Sequence, residues 1–231
     1  MWIDEQVVKE CHQPVLCQVW QPSSTMVVVG RSNDIERECK VLNCQTDNVP
    51  VLRRKGGGGS VILHPGCVIL GIGLWVQDLF NNVFYFSKLN SSVISCLKGF
   101  LPSNQVLLQG GISDICLGDK KIAGTSLFRS RNYLLFQASF LYDARPDLME
   151  RYLAHPSKEP EYRKGRRHSD FVCSFKDLAD VSFEKLRSCL SASLESQVLS
   201  HLVGHLISAD SVQVKDLKSR FLSSPCDKEL L

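Results

Sequence analysis

Residues suited to chemistry fall in three places. The first is Arg53-Arg54-Lys55-Gly56-Gly57-Gly58-Gly59-Ser60-Val61. Glycine admits φ > 0 and lets another molecule approach the main chain. Consecutive glycines expose peptide N–H donors, which make an anion cradle. Arginine offers a planar, permanently charged fork for phosphate or carboxylate. Gly-Gly-Gly-Gly-Ser is also a flexible-linker repeat. Here it lies between Val49-Pro50-Val51-Leu52 and Val61-Ile62-Leu63, both strand-like. A Gly-rich turn between strands marks close backbone approach, so an ordered ligand loop is expected. It is not a P-loop, because no Gly-Lys-Ser/Thr follows, nor a dinucleotide fingerprint, because strand rather than helix follows.

The second place is a hairpin. Ile112 to Leu117, Gly118-Asp119 and Lys120 to Ala123 have the form of two strands and a two-residue turn. It carries Ser113-Asp114 and Lys121-Ile122-Ala123-Gly124-Thr125-Ser126. A lysine beside a hairpin turn is ordinarily only solvated. Gly124 adds room for a ligand. The third place is Tyr162-Arg163-Lys164-Gly165-Arg166-Arg167-His168, which reads equally as a solvated basic loop or a ligand-closing one.

Taken together, these stretches resemble the lipoate–protein ligase family, related to biotin ligases and octanoyl transferases. The glycine loop matches that family's Arg-Arg-x-Ser-Gly-Gly-Gly-x-Val signature. Lys121-Ile122-Ala123-Gly124-Thr125 matches its Lys-(Ile/Val)-(Ser/Ala)-Gly-(Ser/Thr) motif, and Tyr162 to His168 its Tyr-Arg-x-Gly-Arg-x-His segment. The resemblance spans about residues 25–175. It implies ATP-dependent activation of lipoate to lipoyl-AMP, then transfer to a lysine of a lipoyl carrier domain. Such carriers are acyltransferase subunits of 2-oxoacid dehydrogenases or the glycine cleavage H protein. It further implies Lys121 as the catalytic residue contacting the acyl-adenylate. Arg54, Gly57, Gly58, Gly59, Asp114 and Gly124 would line the nucleotide site with it, and ATP, Mg²⁺ and lipoate would be bound. Asp114 inherits a nucleotide or metal role, while Ser113 replaces the family's asparagine. The basic loop would dock an acidic carrier or close over phosphates. His64 stands one place later than a histidine of many family ligases and reads as a core or loop residue. Biotin ligase is less similar, since its glycine–arginine loop pattern differs.

These residues need elements to hold them. Val15 to Trp20 and Met26 to Val29 read as strands around the turn cluster Gln21-Pro22-Ser23-Ser24. Asn33 is expected to cap a helix running to about Leu42. Cys67 to Trp75 is an apolar run expected as a central strand, with Val68 to Trp75 walling an acyl pocket. Phe86, Leu89, Val93 and Leu97 recur at helical spacing in a helix over about 82–99. Further strands are expected at Gln105 to Leu108, Ser126 to Phe128 and Tyr133 to Tyr142. Helices are expected at 2–11, at Pro146 to Leu153, and from Phe183, where Leu186, Leu190, Leu194 and Val198 continue a stripe. Strands cluster in the middle with helices on either side. The expected fold is α/β (α+β): one layered domain with a mixed, largely antiparallel sheet, like a biotin/lipoate ligase catalytic domain.

The whole chain constrains the class. It has 231 residues, 44% apolar and 22% charged, as globular proteins do. A net charge of +3 is too small to argue for nucleic acid, and no run of 18 apolar residues predicts a membrane span. The acidic start Met1-Trp2-Ile3-Asp4-Glu5 does not resemble a signal peptide. Ten cysteines form no C-x-x-C pair and several sit in apolar runs, which suits free thiols in the cytoplasm. No metal-ligating set stands out. A cysteine-dependent acyl transferase is the enzymatic rival, with Cys67 and Cys116 near the motifs; a non-catalytic ligand-binding member is the other. Residues 176–231 hold one amphipathic helix expected to pack on the catalytic region, with a small helix and polar tail in the last 25 or so. What remains is smaller than the roughly 40 residues an independent domain needs. Residues 1–231 are therefore expected as one domain without an accessory one; many family ligases carry such a C-terminal domain, so the resemblance implies that ATP-driven activation is weak unless a second polypeptide supplies that part.

Overall fold

The computed structural model describes residues 13–78 and 80–208. The helix expected at 2–11 and the end of the chain beyond 208 lie outside them. A six-stranded sheet has the order β1 (Val15–Trp20), β5 (Cys67–Trp75), β9 (Tyr133–Leu141), β8 (Lys120–Ser130), β7 (Asp114–Leu117), β6 (Leu107–Gly110). Every neighbouring pair in it is antiparallel. A three-stranded sheet joins β3 (Val51–Arg53), β2 (Met26–Val29) and β4 (Val61–Leu63). There β2–β3 is parallel and β2–β4 antiparallel. The sheets are mixed and largely antiparallel, as expected.

Alternation along β5 explains why all nine of its residues are buried. Val68, Leu70, Ile72 and Leu74 enter one core, and Cys67 and Ile69 the other. The first core lies under α3 (Asn82–Leu97) and α6 (Phe183–His201). It takes Leu89, Val93 and Leu97 from the former and Leu186, Leu190, Leu194 and Val198 from the latter, each at 0% exposure. The second core fills the angle between the sheets, with α4 (Pro146–Tyr152) and its Met149 and Tyr152 closing it. The site lies at this second face.

Several local expectations are corrected. The helix expected over 33–42 is two short ones, α1 (Ile35–Glu38) and α2 (Val41–Thr46). Asp34, not Asn33, caps the first, accepting from Glu36 N at 3.0 Å. The helix breaks because its backbone pairs elsewhere: Cys39 bridges Leu153, and Lys40 N donates to Tyr152 O at 2.8 Å. The strand expected at 105–108 runs two residues later, and that expected at 126–128 is the end of the continuous β8. The two strands expected around Gln21–Ser24 are present, and the turn between them passes the chain from one sheet to the other. Finally, of Val68 to Trp75 only Ile69 lines the cleft, since the rest is consumed by packing.

Candidate active site

Five residues define the floor of the cleft. Trp20, Ile69, Ser139, Gly124 and Asp114 are direct cross-strand partners on β1, β5, β9, β8 and β7. Cross-strand partners project to one face of a sheet. With strands about 4.8 Å apart, this rung spans roughly 19 Å. An inner slot lies over it, walled by Trp20, Val28, Val61, Leu63 and Ile69. It opens into a wider outer cleft bordered by Asn33, Glu38, Gly111, Arg163 and His168. The two meet at Gly58, Gly59, Ser60, Asp114 and Lys121.

A β-bulge brings Lys121 to that junction. Ile115 pairs with Ala123 and Cys116 with Lys121, so Ile122 is an extra residue on β8. Without it, Lys121, three positions from Gly124, would point to the opposite face. With it, Lys121 Nζ lies 2.8 Å from Asp114 Oδ1. A Cβ on Gly124 would sit 2.8 Å from that nitrogen, so glycine makes the crossing passable. Asp114 is buried, and its Oδ2 accepts from the Tyr162 hydroxyl at 2.7 Å. Cys116 Sγ donates to the same hydroxyl at 3.3 Å. Burial and the Asp114 charge push the Tyr162 phenol well up, which keeps it a donor.

The glycine loop faces Lys121 across the junction. All four of its carbonyls are occupied. Arg31 N donates to Gly56 O, Arg54 Nη2 to Gly57 O (2.6 Å) and Gly59 O (2.7 Å), and Asn33 Nδ2 to Gly58 O (3.1 Å). What the loop has left to offer a ligand is its N–H donors, which suits an anion. Gly58 has φ +92, and a Cβ on Gly30 would stand 2.0 Å from Gly58 O. Gly57 and Gly59 have open space where a Cβ would go. Arg54, 7% exposed, braces this loop from inside and is not an open fork. Arg53 likewise clamps the turn after β2 through Gly30, Arg31 and Asn33 carbonyls.

The segment after α4 is not a solvated loop throughout. Arg163 is 4% exposed and stacks 4.7 Å over Phe171, and Arg166 pairs with Asp119 at 2.7 Å. Arg163 Nη2 and His168 Nε2 have no hydrogen-bond partner among the described residues. Burial, then the Arg163 charge, holds the His168 imidazole below its ordinary range. His64 is a buried turn residue: its Nδ1 accepts from Gly66 N at 3.0 Å, and it lines neither part of the cleft. Burial pushes the Cys67 thiol up to about 12 and raises Cys116 as well.

Of the residues expected at the site, the fold brings Lys121, Asp114, Gly124, Gly58 and Gly59 together, while Gly57 lines neither part of the cleft. Sequence reasoning missed the Ile122 bulge, the Tyr162–Asp114 bond, and Gln137 and Ser139 in the slot. These last two had a signal: polar residues two apart in an otherwise apolar strand share one face.

The model of the lipoyl protein ligase A/B catalytic domain matches residues 1–195. The chain belongs to that family. A curated relative, "Inactive lipoate--protein ligase 2" of Plasmodium falciparum, is 24% identical over 65% of this chain and 47% of its own length. The chain spans less than half the length of the curated relatives it matches first. Among solved structures, the bi-partite lipoate protein ligase of Thermoplasma acidophilum, described with its E2 lipoyl domain, shares the fold. Its TM-score is 0.71 at 18% identity, covering 99% of this chain and 92% of the other. A lipoate-protein ligase A bound with ATP has a TM-score of 0.65 at 18% identity, covering 96% and 90%.

Proposed function

We propose that this lipoyl ligase-family chain activates lipoate with ATP and transfers the lipoyl group from lipoyl-AMP to a carrier lysine. The observation that carries this is the junction. A narrow, largely apolar slot meets a wider cleft edged by Asn33, Glu38, Arg163 and His168 at one ammonium, Lys121, opposite a loop whose carbonyls are all tied back. An acyl-adenylate has that shape: an apolar tail, a phosphate at the middle and a polar nucleoside. Negative charge develops on the phosphate and acyl oxygens as the anhydride forms and breaks. Preorganised donors at that point stabilise it without reorganisation. The acyl transfer itself requires only that the carrier amine be held in line with the carbonyl carbon.

Relatives lend support in kind: one solved neighbour carries ATP, and another is described with a lipoyl domain. The carrier would be a lipoyl domain of a 2-oxoacid dehydrogenase acyltransferase subunit or an H protein, met in the cytoplasm. At the junction both Asp114 oxygens are engaged, by Lys121 and Tyr162. The described residues hold no cluster of three or more metal-ligating side chains. Mg²⁺ is commonly held by one or two carboxylates together with substrate phosphates, so it would enter with ATP, and no step is assigned to it.

A thiolate transferase is disfavoured because Cys67 and Cys116 are buried with raised pKa values, whereas a nucleophilic thiol needs the opposite. Incubation with lipoate, ATP and Mg²⁺ followed by mass spectrometry should show lipoyl-AMP, and single Cys67→Ser and Cys116→Ser changes should leave it. Loss of activity in either, with a thioester-linked acyl group on the wild type, would establish the transferase instead.

A further inference from the structure

Lys121 is held from more sides than its motif suggests. Its ammonium is fixed by Asp114 Oδ1, and that carboxylate is fixed by Tyr162 through Oδ2. Its backbone is fixed as well. Val172 bridges Lys121 in parallel, and Cys173 N donates to Lys121 O at 3.0 Å. Tyr162 and Val172 belong to one segment, which folds over the hairpin from outside the sheet. Its internal packing is Tyr162 against Phe171, with ring centroids 5.3 Å apart, and Arg163 over the same ring.

Space has been kept for the tyrosine. A Cβ on Gly110 would stand 3.1 Å from Tyr162 Cζ and 2.5 Å from Cys116 Sγ. Donation then runs one way, from the Cys116 thiol to the Tyr162 hydroxyl and from that hydroxyl to Asp114 Oδ2. Hydrogen bonds in such a chain polarise and stiffen one another. A carboxylate bonded through one oxygen alone can rotate; one bonded through both cannot without losing a bond.

We propose that Tyr162 is a positioning residue for Lys121, its hydroxyl locking the Asp114 carboxylate so that Oδ1 holds the ammonium over Gly124 at the junction of slot and cleft. This deepens the acyl-adenylate reading, on which its kinetic consequences rest. It couples seating of the 162–173 segment to the placement of the charge that faces the phosphate. No bond is made or broken by the tyrosine.

The test is Tyr162→Phe, which keeps the ring on Phe171 and removes only the hydroxyl. With lipoyl-AMP and an unmodified lipoyl domain, kcat should fall about tenfold while KM for lipoyl-AMP stays within about twofold, as expected for an interaction realised in the transition state. In a Lys121→Ala background the same change should add less than about twofold, because the residues act as a unit. A raised KM at unchanged kcat, or full additivity, overturns the proposal. A second readout needs no substrate: the rate at which limiting acetic anhydride modifies Lys121, read by peptide mass spectrometry. Tyr162→Phe should raise it several-fold at unchanged melting temperature, and an unchanged rate overturns the positioning. If the wild type transfers nothing yet Lys121 is unmasked in the variant, the positioning stands and the acyl-adenylate reading falls.

Discussion

Lys121 reaches the cleft through two features of its neighbours: an extra residue, Ile122, that turns it, and a missing side chain, Gly124, that lets it pass. The motif resemblance could name the lysine but not explain the glycine after it. Gly124→Ala places a methyl group 2.8 Å from Nζ and must displace the ammonium. It should cut adenylate formation at least tenfold while the melting temperature changes little. Lys121→Ala should cost more, on the order of 3 kcal/mol or about a hundredfold, as removal of one preorganised donor does. Pyrophosphate release checks both. A Gly124→Ala protein as active as wild type would mean the lysine does not work where it is seen.

At the scale of elements, the glycine loop is a rigid part. Arg54 and Asn33 take its carbonyls, and Gly30 makes room for it. Its glycines therefore have separable roles. Gly59→Ala meets nothing within 4 Å and lines both parts of the cleft, so folding stability should hold while ATP affinity drops, because the methyl group enters the cleft. Gly58→Val forces a branched side chain to φ +92, strain of about 1–2 kcal/mol, and presses on Arg54. It should lose stability as well as affinity. Thermal unfolding and ATP titration separate the two; equal stability losses would contradict the division. The strands on either side of the loop were legible because each is a short apolar run with a clear turn signal. So were α3 and α6, whose stripes at helical spacing are buried apart from the half-buried Phe86 and Phe183. The break between α1 and α2 was not legible, because it depends on backbone pairing with Tyr152 and Leu153, more than a hundred residues away. The bulge at Ile122 was illegible for a similar reason: it is a property of two strands together, and Ile122 and Ala123 are both apolar. Arg54 was read as a phosphate fork from its residue type, yet its donors face the loop's own carbonyls.

At the scale of the molecule, the large sheet divides labour between its faces. One face is sealed by α3 and α6 around a continuous apolar core. The other shares a smaller core with the three-stranded sheet and leaves the rung from Trp20 to Asp114 open. The site is thus a crevice between two sheets, with the Lys121 ammonium on the β7–β8 hairpin, toward the opposite end of the rung from Trp20. The fold class was legible from the clustering of strands between helices; the partition into two sheets was not, because the Gln21–Ser24 turn looks the same whether it closes a hairpin or changes sheet. On the proposed reading the described residues carry both slot and junction, so acyl transfer from preformed lipoyl-AMP should proceed on this chain. The most direct measurement of that claim is to mix the purified chain with synthetic lipoyl-AMP and an unmodified lipoyl domain and to follow the domain's mass. The account predicts that the domain gains one lipoyl group on its acceptor lysine, at a rate that falls with Lys121→Ala. A folded chain and a competent domain that yield no modified lysine would contradict it.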